Sequence, residues 1–181
     1  MFTPEYLAEH HHTITGEDDG MSCQFCEVEG VGLKLYTTKR LRTNCARAQK
    51  FLNAHKLAPA VYGTINLPVN HPLNTYNHRF GYFTELAIPL KTIFHDIGWS
   101  QHSSQVRISF GLKNYQSFRR DFGDYWFFAE FKELENAMEK LGYIDEDVHH
   151  GNYGYLKNGT PVLIDMDRLQ IDGAIALLYN N

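Results

Sequence analysis

Five polar residues near the C-terminus have the types that phosphate and cation chemistry uses. They lie in the stretch DVHHGNYGYLKNGTPVLIDMD and are Asp147, His149, Asn152, Asp165 and Asp167. Carboxylate and carboxamide oxygens bind Mg²⁺, and a carboxylate can also orient or deprotonate a hydroxyl group. Taken singly, such residues are common at turns and strand ends for local hydrogen-bonding reasons. Their convergence at one end of an apolar hairpin favours a metal-assisted site.

The element that would hold these residues is a β-hairpin centred on Asn158-Gly159. This dipeptide is typical of a two-residue type I′ loop, because both loop positions need positive φ. With that loop, Lys157 faces Thr160. Counting outward from there places Asn152 opposite Asp165. Opposed residues have Cβ atoms about 4.5–5.5 Å apart, so these two side chains could share one cation.

The order of the polar residues resembles the catalytic loop and the metal-binding Asp of the protein kinase and aminoglycoside phosphotransferase superfamily. The matching segments are DVHHGN at 147–152 and VLID at 162–165. The resemblance implies that Asp147 orients or deprotonates the acceptor hydroxyl. His149, closest to the phosphotransferase and small phage-kinase versions, would support the loop or contact phosphate. The metal ligands that the resemblance implies are Asn152, Asp165 and, for a second Mg²⁺, Asp167.

An upstream strand provides a candidate for the phosphate-binding lysine of this family. The segment VGLKLY at 31–36 alternates in period two, which places Gly32 and Lys34 on one face. It resembles the V-A-I-K strand, in which the small residue leaves room for the nucleotide and the lysine reaches its phosphates. Taken alone, the same pattern favours an ordinary edge strand with a solvated lysine.

A helix is predicted directly after this strand, with Thr38 as its N-cap. Its apolar positions recur at i, i+4, i+7 and i+11 and are Leu41, Cys45, Ala48 and Leu52. Gln49 lies where the family has the Glu that pairs with the strand lysine. A glutamine can hydrogen-bond an ammonium group, but it provides no opposite charge.

The next segments resemble the strands that lead to the hinge of the family. Residues 57–63 resemble the entry to the fourth strand, and residues 80–87 resemble the strand that runs into the hinge. By this match Thr84 is the gatekeeper, and the backbone from Glu85 to Ala87 binds an adenine. Taken singly, each segment is equally typical of an apolar strand in any α+β domain.

A second helix is predicted from about residue 125 to 141, directly before the catalytic-loop candidate. Its apolar stripe is Phe127, Phe131, Leu134, Met138 and Leu141, and it is typical of a core face. Residues 67–79 are predicted to be an irregular loop, and residues 88–123 a link with short helices.

Several features depart from the family pattern. No G-x-G-x-x-G loop is present, and the one candidate for a strand-linking phosphate loop, residues 15–20, is acidic. Only 14 residues follow Asp167, where ordinary kinases continue through an activation segment and substrate-binding helices. We therefore expect the acceptor-binding half to be abbreviated or rebuilt.

Charge is distributed unevenly along the 181 residues, whose formal net charge is −4. Residues 31–84 contain eight Lys or Arg and no acidic residue, whereas the remainder carries nine basic and 21 acidic residues. The net charge argues against general nucleic-acid binding. The basic region could attract nucleotide phosphates or an acidic protein surface, or it could be a solvated helix face.

Three cysteines without a signal peptide indicate free thiols in a reducing compartment. Cys23 and Cys26 have no second pair at zinc spacing, and in a strand they would point to opposite faces, so zinc is not favoured. No apolar run has the 18 residues of a membrane helix. We expect a cytoplasmic protein, in a host cytosol if it is a phage or effector protein.

These observations predict one α+β domain with a minimal protein kinase-like fold. A small antiparallel-sheet N-lobe would span about 13–87, a hinge about 85–88, and an abbreviated helical C-lobe with the hairpin about 89–181. The expected activity is ATP- and Mg²⁺-dependent phosphotransfer to a hydroxyl, with a protein as acceptor or host partner. The alternative is a pseudokinase-like binding module. Nucleotide transfer stays open, and a metal-dependent hydrolase is less favoured.

Overall fold

The computed structural model describes residues 2–11, 15–19, 23–90, 127–145, 152–166 and 169–171. The chain forms two compact units. The N-terminal unit comprises Met1–Ala54 and Pro59–Leu86, and the C-terminal unit comprises His55–Ala58 and Ala87–Asn181. The predicted lobe and hinge bounds stay a prediction.

The described part of the chain contains both helices and strands along the sequence. They are α1 (Pro4–His10), β1 (Thr15–Asp19), β2 (Cys23–Val28), β3 (Val31–Tyr36), α2 (Lys39–Ala54), β4 (Val61–Asn66), a short turn (Thr75–Asn77), β5 (Phe80–Thr84), β6 (Ala87–Pro89), α3 (Phe127–Lys140), β7 (Tyr143–Asp145), β8 (Tyr153–Leu156), β9 (Pro161–Leu163) and β10 (Leu169–Ile171).

A five-stranded antiparallel sheet forms the N-terminal unit, in the order β1-β2-β3-β5-β4. Strand β3 is central and is covered on both faces, since residues 32 to 36 are all buried. Alternate residues of β3, Leu33 and Leu35, join a core cluster that also takes in Leu7 of α1 and Leu73 of the loop after β4. The prediction of an edge strand with a solvated lysine is therefore wrong.

Helix α2 follows β3 as predicted, and Thr38 caps it. The Thr38 hydroxyl accepts a hydrogen bond from the backbone N–H of Leu41 at 3.2 Å, which satisfies one of the open donors at a helix start. The buried stripe of α2 differs from the apolar stripe that the spacing of apolar residues predicted. It includes two polar residues. It consists of Arg42, Cys45, Ala46, Gln49 and Leu52.

Residues 15–19 form strand β1 and not the phosphate-linking loop that the sequence suggested. Asp18 pairs with Phe25 and Asp19 with Gln24 in an antiparallel ladder with β2. N–H groups that bond to β2 in this ladder are not available to a phosphate group. Residues 20–22, which complete the connection to β2, lie outside the described residues.

The C-terminal unit contains α3, a three-stranded antiparallel sheet in the order β6-β8-β9, and the pair β7 and β10. The predicted helix is confirmed, and Phe131, Leu134 and Met138 of its predicted core face are buried. Leu141, the last residue of the predicted face, follows the helix and is half-buried. The Phe131 ring packs edge-on against Tyr153 and Tyr155 of β8. Most of the predicted link lies outside the described residues, and its first two residues belong to β6.

The predicted hairpin is confirmed, but its predicted register is wrong by one residue. Tyr153 pairs with Leu163, and Gly154 with Val162. The loop has three residues, 157 to 159, because the backbone of Leu156 exchanges hydrogen bonds with Thr160 and Gly159. By this register Asn152 is opposite Ile164, not Asp165.

The predicted fold class is confirmed. The chain is α+β, with a small antiparallel sheet and one long helix in the N-terminal unit, and a helix with a hairpin in the C-terminal unit, consistent with a small kinase-like fold. Among the helices described, none is long and apolar enough to cross a bilayer.

Candidate functional site

Lys34 lies in the middle of β3, on the face that α2 covers. Its direct partner on β5 is Tyr82, and paired residues of neighbouring strands project from the same face. The Tyr82 hydroxyl bonds to Gln49 of α2, so this face is the one beneath the helix. Lys34 is only 8% exposed. Burial of an ammonium group is costly unless it meets polar partners, which makes Lys34 a candidate for function.

Gln49, predicted to hydrogen-bond the lysine, makes its described bonds elsewhere. Its Nε2 donates to the Thr84 hydroxyl at 2.6 Å and to the Pro59 carbonyl at 2.9 Å. Its Oε1 accepts a hydrogen bond from Tyr82 at 2.8 Å. Gln49 is fully buried, and these bonds fix α2 against β5 and the segment before β4.

Thr84 and Glu85 were predicted to lie next to the bound nucleotide. Both form hydrogen bonds with Ala60. The Thr84 hydroxyl donates to the Ala60 carbonyl at 3.0 Å. The Glu85 carboxylate accepts a hydrogen bond from the Ala60 N–H at 3.2 Å, and the Glu85 N–H donates to the Ala60 carbonyl at 2.9 Å. Ala87 opens β6 and pairs with Leu156. The structure therefore joins Gln49, Thr84 and Glu85 in one network.

The space beside Gly32 is occupied by protein. A Cβ atom at this position would lie 2.9 Å from the Phe25 ring and 2.9 Å from the Thr84 methyl group. In the family that the sequence resembles, the small residue at this position leaves this space to the nucleotide. In this chain Gly32 has no side chain, and Phe25 of β2 and Thr84 of β5 fill the space instead.

The two described metal-ligand candidates lie next to each other at the open end of the hairpin. The Asn152 carbonyl accepts hydrogen bonds from the N–H groups of Ile164 at 2.7 Å and Asp165 at 3.4 Å. Asn152 is buried, and Asp165 is half-buried. The Asp165 Oδ1 accepts a hydrogen bond from the Met166 N–H at 2.7 Å, which orients the carboxylate. Amide and carboxylate oxygens are donors that suit Mg²⁺.

Three of the predicted site residues, Asp147, His149 and Asp167, lie outside the described residues. Over the part of the chain that is described, no group of three or more His, Cys, Asp or Glu residues could hold a metal ion. Cys26 belongs to the core cluster, whereas Cys23 does not, as opposite faces of a strand require. The assignments of catalytic, nucleotide and metal residues stay predictions.

Tyr82 and Tyr36 are polar residues of this face that sequence reasoning missed. Both are fully buried, and their hydroxyl oxygens lie 3.3 Å apart. A signal was present, since Tyr82 lies two residues before Thr84 and therefore shares its face of the strand. The register that sets Tyr82 opposite Lys34 requires the fold, because no short loop connects β3 with β5.

Comparison with known proteins gives a coarse result. No protein-family model and no curated protein matches the sequence. Two solved structures of WbdD, one described as the bifunctional kinase-methyltransferase, resemble the chain with TM-scores of 0.47 and 0.49 at 13% and 12% identity. They cover 84% and 89% of this chain, which spans about a third of their length, 31% and 34%. The fold class therefore rests on the chain's own strand order.

Proposed function

We propose that the chain is an ATP- and Mg²⁺-dependent phosphotransferase that acts on a hydroxyl group of a protein. The observation that carries the proposal is Lys34, an ammonium group buried beneath α2 on the central strand. A lysine held there could bind nucleotide phosphates. Thr84 and the backbone from Glu85 to Ala87 would receive the adenine.

The donors at the end of the hairpin support the metal part of the proposal. Asn152 and Asp165 offer hard oxygen ligands of the kind that suits Mg²⁺, and Asp167 would add a further carboxylate. A bound Mg²⁺ would neutralise charge on the phosphates. Asp147 would orient or deprotonate the acceptor hydroxyl, and His149 would support its loop. Transfer of a nucleotide by the same residues is the related alternative.

The first test is thermal unfolding with ATP, in the presence and absence of Mg²⁺. A ligand at 100 times its dissociation constant stabilises by about 2.7 kcal/mol, so binding should be visible. We expect a Mg²⁺-dependent shift in the parent protein that Asp165→Ala loses. The matched control is Glu139→Ala, which removes an exposed carboxylate from α3. Equal shifts in the parent and the Asp165 variant would contradict the metal assignment.

A second variant separates binding from chemistry. Asp147→Ala should keep the Mg²⁺-ATP shift, because the aspartate acts on the acceptor. It should reduce transfer of the γ-phosphoryl group about a thousandfold, as loss of a general base does. Transfer is followed with γ-labelled ATP. Undiminished transfer would show that Asp147 is not the base.

The second candidate function is a pseudokinase-like binding module, and the crowding beside Gly32 favours it. The Phe25 ring and the Thr84 methyl group occupy the space that a nucleotide base needs in the resembled family. On this reading ATP causes no thermal shift in the parent protein, with or without Mg²⁺. A Phe25→Ala variant would then gain nucleotide binding if the ring is the obstacle.

A further inference from the structure

Arg42 is a buried cation of α2 that the proposed phosphotransfer does not use. It belongs to the buried stripe of the helix and is only 5% exposed. Its Nε atom is shielded from solvent and has no hydrogen-bond partner. Residues 31–84 contain no acidic residue, and within the described part of the chain no carboxylate pairs with this guanidinium group. A buried charge of this kind is costly, because it loses its hydration without a compensating ion pair.

Loss of the proton does not relieve this cost. Burial lowers the pKa of the Arg42 guanidinium group. The ordinary pKa of an arginine lies so far above neutral pH that the group stays charged nevertheless. An anionic ligand would relieve the cost instead. The Nη groups of Arg42 are not shielded as Nε is, so a small ligand can reach them.

The first turn of α2 contributes two further donors that favour an anion. Thr38 caps the N–H group of Leu41, whereas the N–H groups of Lys39 and Arg40 have no partner among the described residues. The start of a helix carries partial positive charge and is stabilised by acidic residues. This first turn has no acidic residue and begins with two cations. Like charges at the helix start thus add to the charge of Arg42.

Helix geometry places Arg42 beside this turn and away from the proposed adenine contacts. Long side chains of a helix lie over the turn that precedes their own Cα atom, which for Arg42 comprises residues 38–41. Gln49, which bonds to Thr84, lies two helical turns further along, about 10 Å away along the helix axis. The start of α2 is therefore a separate candidate for a ligand.

We propose that Arg42 and the start of α2 form a binding site for a phosphate group. The Nη groups of Arg42 would donate to two phosphate oxygens, and the N–H groups of Lys39 and Arg40 would donate to the others. The phosphate group belongs either to a nucleotide or to another small molecule, including inorganic phosphate. The inference goes beyond the proposed function, because none of these groups has a part in the proposed transfer.

The first experiment is an NMR titration of the parent protein with sodium phosphate, compared with sodium chloride at the same ionic strength. The signals followed are the ¹⁵Nε–H groups of the arginine side chains and the backbone N–H groups of Lys39 and Arg40. The side-chain signal of Arg42 is assigned by its loss in Arg42→Met. We expect phosphate to shift these three residues along one saturation curve. The signal of Arg47, an exposed arginine later in α2, should stay in place.

The second experiment is thermal unfolding of the parent, Arg42→Met and the matched control Arg47→Met in the same two salts. Phosphate should raise the Tm of the parent and of Arg47→Met, but not that of Arg42→Met. In chloride, Arg42→Met should be at least as stable as the parent, since methionine removes a buried unpaired charge. A merely structural arginine gives the opposite pattern, with stability lost in both salts and the phosphate effect retained.

A second variant keeps the test decisive if Arg42→Met does not fold. Arg42→Lys retains the charge but loses the two Nη groups that would bind the phosphate oxygens. It should weaken phosphate binding about tenfold, the size expected for loss of a hydrogen bond to a charged group. Unchanged affinity in this variant would contradict the site.

Mg²⁺-ATP distinguishes the two sources of the phosphate group. Displacement of phosphate from Arg42 by Mg²⁺-ATP supports a site for a nucleotide phosphate, and simultaneous binding of both supports a site for a separate small phosphate. A phosphate shift in a protein that does not bind ATP supports the site and rejects the proposed phosphotransferase. Equal shifts in phosphate and chloride, or equal shifts of Arg42 and Arg47, overturn the inference whether or not ATP binds.

Discussion

The turns of the two described hairpins differ in length and in backbone conformation. Glu29-Gly30 joins β2 to β3 as a two-residue loop, with φ of 48° and 77°, which is the type I′ pattern. Asn158-Gly159, the better type I′ sequence, lies instead in a three-residue loop. There only Gly159 has positive φ, at 84°. Local turn preference therefore did not determine either loop.

The contacts of the strands explain the difference. In the first hairpin the Tyr6 hydroxyl of α1 donates a hydrogen bond to the Glu29 carboxylate, which holds a residue that rarely adopts positive φ. In the second, the backbone of β6 approaches β8 so closely at Gly154 that only glycine fits. A slip of one residue would move the side chains of a strand to the opposite face of the sheet, and another residue of β8 would then meet the backbone of Ile88 and Pro89. We therefore expect the close contact with β6 to hold the register, and the turn to adapt to it.

The largest effect should come from Gly154→Ala in the second hairpin. The new Cβ atom would press on the carbonyl oxygen of Ile88 and lie 2.9 Å from its carbonyl carbon. Because β6 and β8 are paired, that backbone cannot yield without loss of the ladder. We expect a loss of about 3 kcal/mol in the free energy of unfolding, measured with urea. A loss below about 1 kcal/mol would show that the turn, not β6, fixes the register.

The same contrast explains which features the sequence could predict. Period-two alternation at 31–36 and the Thr38 cap depend on local chemistry, and both predicted elements were confirmed. The pairing of Asn152 with Asp165 failed because it assumed a two-residue turn, whereas β8 and β9 are joined by a three-residue turn and β8 is also paired with β6. The partnership of Lys34 with Tyr82 was equally hidden, since it joins strands separated by α2 and β4.

A register change of one residue also alters how the metal-site prediction must be understood. Asn152 and Asp165 are not a directly opposed pair. They remain adjacent, because the carbonyl of Asn152 accepts a hydrogen bond from the Asp165 N–H at 3.4 Å. A shared cation would therefore be bound at the end of the ladder, not across one of its faces.

A smaller effect is expected from alanine at the two turn glycines. Gly30→Ala and Gly159→Ala each place a Cβ atom in open space, at φ of 77° and 84°. The cost is then only the left-handed conformation of the backbone, about 1 kcal/mol at each position. Urea unfolding of both variants should give equal losses. A Gly159→Ala variant as stable as the parent would mean that this loop can adopt another turn.

The smallest effects should differ in sign between the two loops when the residue before each glycine is replaced. Glu29→Gly removes the backbone strain of a positive φ at this position but also loses the exposed hydrogen bond from Tyr6. We expect a net gain of about 0.5 kcal/mol in the free energy of unfolding. Asn158→Gly removes the side-chain oxygen that accepts the Thr160 N–H at 3.0 Å, and about 0.5 kcal/mol should be lost. Urea unfolding measures both.

The Asn158 variant decides between the two turn types. In a type I′ loop Asn158 would have positive φ, and glycine would be tolerated or favoured there. In the three-residue loop that position has ordinary φ, so glycine adds only freedom to the unfolded chain and removes a hydrogen bond. A stabilised Asn158→Gly would therefore restore the two-residue loop and, with it, the direct opposition of Asn152 and Asp165.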